Sequence, residues 1–205
     1  MDFNVDFPTI SALPSGREVE VNQAFRSTAM EKVNYMYLNP SEDMREHTLI
    51  MRDPYFSSFV DYVITYMDNN FISVAFEDKY NLGNFDLFRE LRTVNINLND
   101  GTIYQIEDII EIEDGFIEMW LERMRQQAPQ VSILQEISIS EFRNILQGNN
   151  SAFQESFMVT GRGIEIGFSY KNESAIGWIT APFTMEEIML YRTDSEFWDI
   201  INTEL

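Results

Sequence analysis

Apolar residues recur at helical spacing from Val21 through Ala24, Phe25, Thr28, Ala29, Val33 and Met36, which predicts one amphipathic helix from just after Pro14 to about Tyr37. Ser15 and Glu18 have the spacing of a capping box at its start. Asn39-Pro40-Ser41 breaks the run, and residues 41 to 56, mixed in charge and interrupted by Pro54, read as a surface loop. The pattern then changes. Phe59 to Met67 and Phe71 to Glu77 are β-branched and aromatic runs flanking Asp68-Asn69-Asn70, the signature of a hairpin. Val94, Ile96 and Leu98 alternate with Asn95 and Asn97, which predicts a strand with one apolar face and one wet, amide-bearing face. Asn99-Asp100-Gly101 supplies a tight turn into Ile103 to Ile106.

Helical spacing returns at Phe116, Ile117, Trp120, Leu121 and Met124 after an Asp114 cap, on a stretch whose acids crowd towards its start. Gln126 to Gln135, polar and broken by Pro129, is the best linker candidate. A capping box from Ser138 to Glu141, with Ile137 and Phe142 as its hydrophobic staple and Gly148 as its stop, marks the next helix. Strands follow at Phe153 to Val159, Ile164 to Phe168 and Ala175 to Thr180, the first two joined at Gly161-Arg162-Gly163. A third capping box runs from Thr184 to Glu187, stapled by Phe183 and Ile188, and Ser195 to Asn202 forms a last short helix. Strands and helices come in blocks, several strand pairs joined by tight turns. That predicts an α+β fold with a largely antiparallel sheet and packed helices. The sequence has two halves, 1–125 and 126–205, expected to form a single compact unit.

Composition narrows the chemistry. Of 205 residues, 44% are hydrophobic and 14% aromatic, which suits a globular core, while 34 acidic residues against 14 basic ones leave a formal charge of −20. Such a surface repels phosphate backbones and anionic headgroups, so nucleic acid and acidic membranes are poor partners. No cysteine and a single histidine, His47, leave no disulfide, thiolate nucleophile or paired-imidazole metal centre, and His47 reads as a solvated loop residue. No glycine-rich phosphate loop or nucleophile elbow occurs. The acids Glu107, Asp108, Glu111, Glu113 and Asp114 lack the alternate-position loop of a calcium site and read as a solvated face. No cofactor or metal is expected. No apolar run is long enough to span a bilayer, and Met1-Asp2-Phe3-Asn4 has no signal-peptide pattern, so the chain reads as soluble. The aromatics Tyr80, Phe85, Tyr170 and Trp178 fall at predicted strand ends or loops, where a ring can stack on a sugar or anchor a protein. Among 34 carboxylates a glycosidase-like pair is the alternative chemistry.

Several short segments together resemble a bacterial extracytoplasmic domain family, the one shared by the lysozyme-sensing anti-sigma factor RsiV and the non-catalytic N-terminal region of the peptidoglycan deacetylase PdaC. Phe7-Pro8-Thr9-Ile10-Ser11-Ala12-Leu13 followed by Val21-Asn22-Gln23-Ala24-Phe25 resembles its opening strand and helix. Phe71-Ile72-Ser73-Val74, Val94 to Gly101 and Ile106-Glu107-Asp108-Ile109-Ile110 resemble its central motifs, and Phe157 to Phe168, Tyr170, Gly177 and Ala181-Pro182-Phe183 its final block. Where the family often carries Gly-Ala-His, Leu82-Gly83-Asn84-Phe85-Asp86 keeps the glycine and loses the histidine. The resemblance implies an α+β domain on the outside of a bacterial, Gram-positive cell. It also implies a non-catalytic recognition or sensing role, with cell-wall glycan or a cationic protein such as lysozyme as partner. A free-standing carboxylate-dependent glycan hydrolase is the alternative.

Overall fold

The computed structural model describes residues 2–38, 42, 56–81, 87–150, 153–171 and 176–201. His47, Phe85 and most of the predicted 41–56 loop lie outside them. The fold is α+β, with two sheets that are antiparallel except at one edge. The first has the order β1 (Asp2–Val5), β2 (Ser57–Met67), β3 (Phe71–Asn81), β4 (Leu87–Asn97), with only β1 parallel to its neighbour. The second has the order β5 (Phe153–Thr160), β6 (Gly163–Lys171), β7 (Ile176–Phe183). No helix among the described residues is long and apolar enough to cross a membrane.

The predicted first helix divides at Met30 into α1 (Glu18–Ala29) and α2 (Glu31–Leu38). Val21, Phe25 and Ala29, four residues apart and fully buried, lay one stripe of α1 over Val74, Phe76, Val94 and Ile96. The carbonyl of Thr28, at the break, accepts a hydrogen bond from the Arg92 guanidinium at 2.7 Å, so a strand side chain supplies the partner that a continuing helix turn otherwise would. The Ser15–Glu18 capping box does not form. Ser15 donates instead to the Leu98 carbonyl at 2.6 Å, and the Glu18 carboxylate accepts from the Leu13 amide at 2.7 Å. Both groups anchor the incoming segment to its surroundings, so neither is left to cap the helix. The opening strand implied for residues 7–13 is likewise displaced to Asp2–Val5. Asn22 clamps Ile10 by accepting its N–H and donating to its C=O, both at 2.8 Å, which holds the segment as a fixed loop.

On the other side, α3 (Ile106–Ile109), α4 (Asp114–Gln127), α5 (Ile133–Glu136) and α6 (Ile139–Leu146) precede the second sheet. The α4 stripe of Phe116, Ile117, Trp120, Leu121 and Met124 shares one core with Val159, Ile166, Phe168 and Phe183. Trp120 is fully buried, its indole donating to the Ile166 carbonyl at 2.7 Å and its ring 4.3 Å from Phe142. The capping boxes at Ser138–Glu141 and Thr184–Glu187 both form. Gly148, at φ 65°, ends α6 as a helix-stopping glycine should. The linker expected over 126–135 is overturned. Leu134 is fully buried, and Arg125 donates to its carbonyl at 2.7 Å, so α5 belongs to the core. The tail forms α7 (Met185–Ile188), a 3-10 turn (Met189–Tyr191) and α8 (Phe197–Ile200). Phe197 meets Phe71 of the first sheet at 5.4 Å and Phe157 of the second at 6.2 Å.

The sheets meet across a polar seam, which corrects the expected wet face of β4. Asn95 is 1% exposed. Its amide donates to the Phe157 carbonyl at 2.8 Å while its oxygen accepts from Ser73 at 2.7 Å; Ser73 in turn receives the Val159 amide, and Thr93 receives that of Phe157. Strand β5 pairs only with β6, so its outward backbone groups need partners, and the small polar side chains of β3 and β4 provide them. Removing Asn95 leaves a buried hydroxyl and a buried carbonyl short of partners. Asn95→Ala is therefore expected to lower the unfolding free energy by about 1–3 kcal/mol. Urea titration followed by tryptophan fluorescence measures it; a loss under about 0.3 kcal/mol would mean the seam is hydrated.

Candidate functional site

The aromatic candidates do not converge. Tyr80 is 7% exposed on β3, its ring 5.2 Å from Phe88, in a cluster with Met36 and Phe56. Burial first, and the nearby Glu90 carboxylate second, push its hydroxyl well above the ordinary phenol range. Tyr170 and Trp178 sit on neighbouring strands but on opposite faces, because Tyr170 pairs with Gly177 and Trp178 with Ser169. Tyr170 turns towards the helices beside Phe168, at 6.3 Å. Trp178, 36% exposed, lies on the face that meets the first sheet. A stacking platform of these rings does not assemble.

A polar pocket forms where β4 ends the first sheet. Period-two alternation carries Asp78 and Arg92 onto the same face as Val74, Phe76, Val94 and Ile96, beneath the helices, and both are buried, at 0% and 2% exposure. They pair at 2.6 Å. Asp78 also accepts from Ser58 at 2.8 Å, and Glu31 stands 3.8 Å from the other end of the guanidinium. Desolvation pushes the Asp78 carboxyl up more than Arg92 pulls it down. Beside them Glu90, 5% exposed, is paired with Lys32 at 3.0 Å.

The pocket beside this pair encloses about 160 Å³, lined by Thr28 and Glu31 from the α1–α2 junction, Arg92 and Thr93 from β4, and Gln154 and Ser156 from β5. That is the room of about five waters at roughly 30 Å³ each. Two of the lining residues each carry a buried polar atom with no hydrogen-bond partner among the described residues, the Arg92 Nε and the Ser156 Oγ. A third polar element is backbone. The Leu91 amide reaches outward to Ser169, and the Asn95 carbonyl accepts from Tyr104. The two-residue period therefore turns the N–H and C=O of Thr93 outward too, away from β3 and towards the pocket. Native interiors leave few such groups unpaired, and both the Arg92 Nε and the Ser156 Oγ are sealed from solvent, so they lie behind the pocket wall and do not open into it.

The sequence offered one signal for this site, charged residues at inward positions of apolar strands, and aromatic content pointed elsewhere. No family model and no curated protein matches the sequence. Among solved structures, the chain is similar to a DUF3298 family protein from Pseudomonas aeruginosa PAO1, with 10% identity over 76% of this chain and 71% of that one and a TM-score of 0.42. It is also similar to a member of the DUF3298 family from Bacteroides fragilis NCTC 9343, with 10% identity over 93% of this chain and 74% of that one and a TM-score of 0.48.

Proposed function

We propose that this chain is a non-catalytic recognition module of a bacterial cell-surface protein, one that binds cell-wall material or a cationic protein such as lysozyme. The observation that carries the reading is the charge of −20, which speeds encounter with basic partners and repels anionic ones. The extracytoplasmic setting rests on the sequence resemblance described above. Carboxylate geometry supports binding over hydrolysis. A glycosidase needs two carboxyl groups about 5–9.5 Å apart facing one sugar. Glu31 and Glu155 both border the pocket, yet Glu31 is turned to Arg92 and Lys32, at 3.8 and 3.9 Å. The carboxylate of Glu155 lies against Gly148, so close that a Cβ there would stand 3.3 Å from it.

Surface plasmon resonance with lysozyme, beside an equally basic small cytochrome, tests the proposal. Binding of lysozyme is expected to saturate and to survive about 150 mM salt, with association slowing between about 50 and 300 mM as steering is screened and dissociation changing less. Equal, weak binding of both proteins that vanishes together with salt would remove the protein partner and leave wall glycan. Release of reducing ends from chitin oligosaccharides, abolished by Glu31→Gln, would establish the hydrolase instead.

A further inference from the structure

The first sheet has an edge that its own outer strand covers only in part. β1 pairs with β2 at Ser57 to Val60 and then stops, while β2 runs on to Met67. The Asp6 N–H still reaches the Val60 carbonyl, at 2.9 Å. Beyond it Pro8 has no N–H to carry the ladder on, and Phe7 and Ile10 turn onto the core beneath α1. Backbone groups alternate in direction along a strand, so the N–H and C=O of Tyr62 and Ile64 point as those of Val60 do, away from β3. Among the described residues no backbone group meets them there. Their side chains are exposed as well, at 38% and 42%, and so is Val63 on the opposite face, at 63%. Lysine and proline, which blunt many edge strands, are absent from β2, and its one protective device is the bulge between Ile64 and Tyr66, which limits the open stretch.

We propose that the open edge of β2 takes up an extended segment of a partner protein, about five residues long, with β-branched residues at its centre and lysine or arginine at the end beside Asp6 and Asp61. Three features select that occupant. Donors and acceptors repeating every second residue along a line are matched by another strand, whose main chain offers both. Tyr62 and Ile64 on one face and Val63 on the other gain burial from apolar side chains in cross-strand positions, so the centre of the segment is apolar. Charge sets its end. Asp6 and Asp61 are both exposed and follow the last paired residues, Val5 and Val60, where β1 leaves the sheet. Lys79 stands 3.9 Å from Asp61 but 3.0 Å from Glu77, and neither β1 nor β2 carries a basic residue, so these two aspartates attract a cation from outside. The same charges turn away a second copy of the chain, whose matching edge brings the same two aspartates and whose surface brings another −20.

The inference goes beyond the cell-surface reading, because strand addition at β2 requires no particular setting, and lysozyme binding at another surface would leave it standing. The test is an NMR titration and amide hydrogen exchange of the full chain with the acetylated, amidated peptide Lys-Thr-Val-Thr-Val-Lys, whose two lysines serve either strand direction. Two controls accompany it, the same peptide with glutamate at both ends and the same peptide N-methylated at its four central residues. The lysine peptide is expected to shift Tyr62, Val63 and Ile64 along one saturable curve and to slow exchange of the Tyr62 and Ile64 amides at least about tenfold. Each control is expected to bind at least about tenfold more weakly. Ile64→Pro removes an outward donor and leaves the β2–β3 bonds intact, so it is expected to fold and to weaken the lysine peptide about tenfold. The Asp6→Asn, Asp61→Asn double variant is expected to weaken it roughly three- to tenfold and to reduce its salt dependence. N-methylated peptide binding as tightly would mean adsorption to exposed side chains, and the glutamate peptide binding as tightly would remove the charge argument. Protection of the Tyr62 and Ile64 amides that rises with protein concentration alone would give the edge to a second copy, and no saturable change at these residues would mean an edge closed to peptides. Any of these four results overturns the proposal.

Discussion

Asp78→Ala is expected to destabilise the protein by about 3–5 kcal/mol, with urea unfolding as the measurement, because it strands the Arg92 guanidinium in a site where it is 2% exposed. The size comes from the charge left behind. Glu31, 3.8 Å away and half exposed, is too well solvated to stand in for a partner at 2.6 Å. The pair itself is a different quantity. Burial raises the Asp78 carboxyl above its ordinary value despite the adjacent arginine, so the folded state bears a cost to keep that group ionised. For an acid shifted upward, the contribution favours folding below the unfolded pKa and fades as pH rises through the folded one. The Asp78→Leu, Arg92→Leu double variant, which takes both charges out of the interior, is accordingly expected to recover most of the loss. It is also expected to flatten the pH dependence of stability on the alkaline side of the ordinary aspartate range. A double variant as unstable as Asp78→Ala would show instead that the network, including the Arg92 bond to the α1 terminus, is needed for its hydrogen bonds.

Gly167→Ala, a change of one methyl group, is expected to cost about 3 kcal/mol or more, above the 1–3 kcal/mol usual for overpacking. A Cβ at this position of β6 would lie 1.8 Å from the Ile179 carbonyl oxygen and 2.7 Å from the Thr180 Cα. Those are backbone atoms of β7, held by the β6–β7 ladder, so relief requires moving a strand and not a side chain. The core beneath is coupled to that register through Trp120, which bonds the Ile166 carbonyl next door. Thermal unfolding monitored by tryptophan fluorescence measures the effect. Gly161→Ala is the control, since nothing lies within 4 Å of a Cβ there, and it is expected to leave stability within about 0.5 kcal/mol. Equal melting temperatures for the two variants would mean that β7 yields freely.

Elements set by near neighbours in the chain were legible in advance. The hairpin at Asp68-Asn69-Asn70, the capping boxes at Ser138 and Thr184 and the α4 stripe all appear where periodicity and turn chemistry placed them. Each rests on interactions within a few residues, which a linear pattern encodes directly. The first capping box failed for the opposite reason. Ser15 and Glu18 have the right spacing, but Ser15 found the Leu98 carbonyl, 83 residues away. The same long-range competition turned Asn95 from part of an expected wet face into part of a buried seam, at 1% exposure. Alternation reported correctly that β4 has an amide face; what would lie against it was a fact about β5.

The candidate site divides in the same way. By itself the sequence determined the α+β class, most of the strands and helices, the acidity of the surface and the narrow choice of chemistry left to a chain without cysteine, because these follow from composition and local period. The tertiary structure alone decided which polar groups meet. Asp78 and Arg92 are separated by 14 positions and joined by a strand pairing; Thr28 lies 64 positions from Arg92 along the chain. Ser156 comes from a different sheet. Their shared pocket exists because the edge of β4 stops one sheet beside the edge of β5 in another, and no local pattern specifies where two edges will meet. The aromatics show the converse. Tyr170 and Trp178 lie close in sequence and on adjacent strands, yet strand register sends their rings to opposite faces, since side chains on neighbouring strands share a face only when they are paired across the ladder or offset from that pairing by an even number of residues.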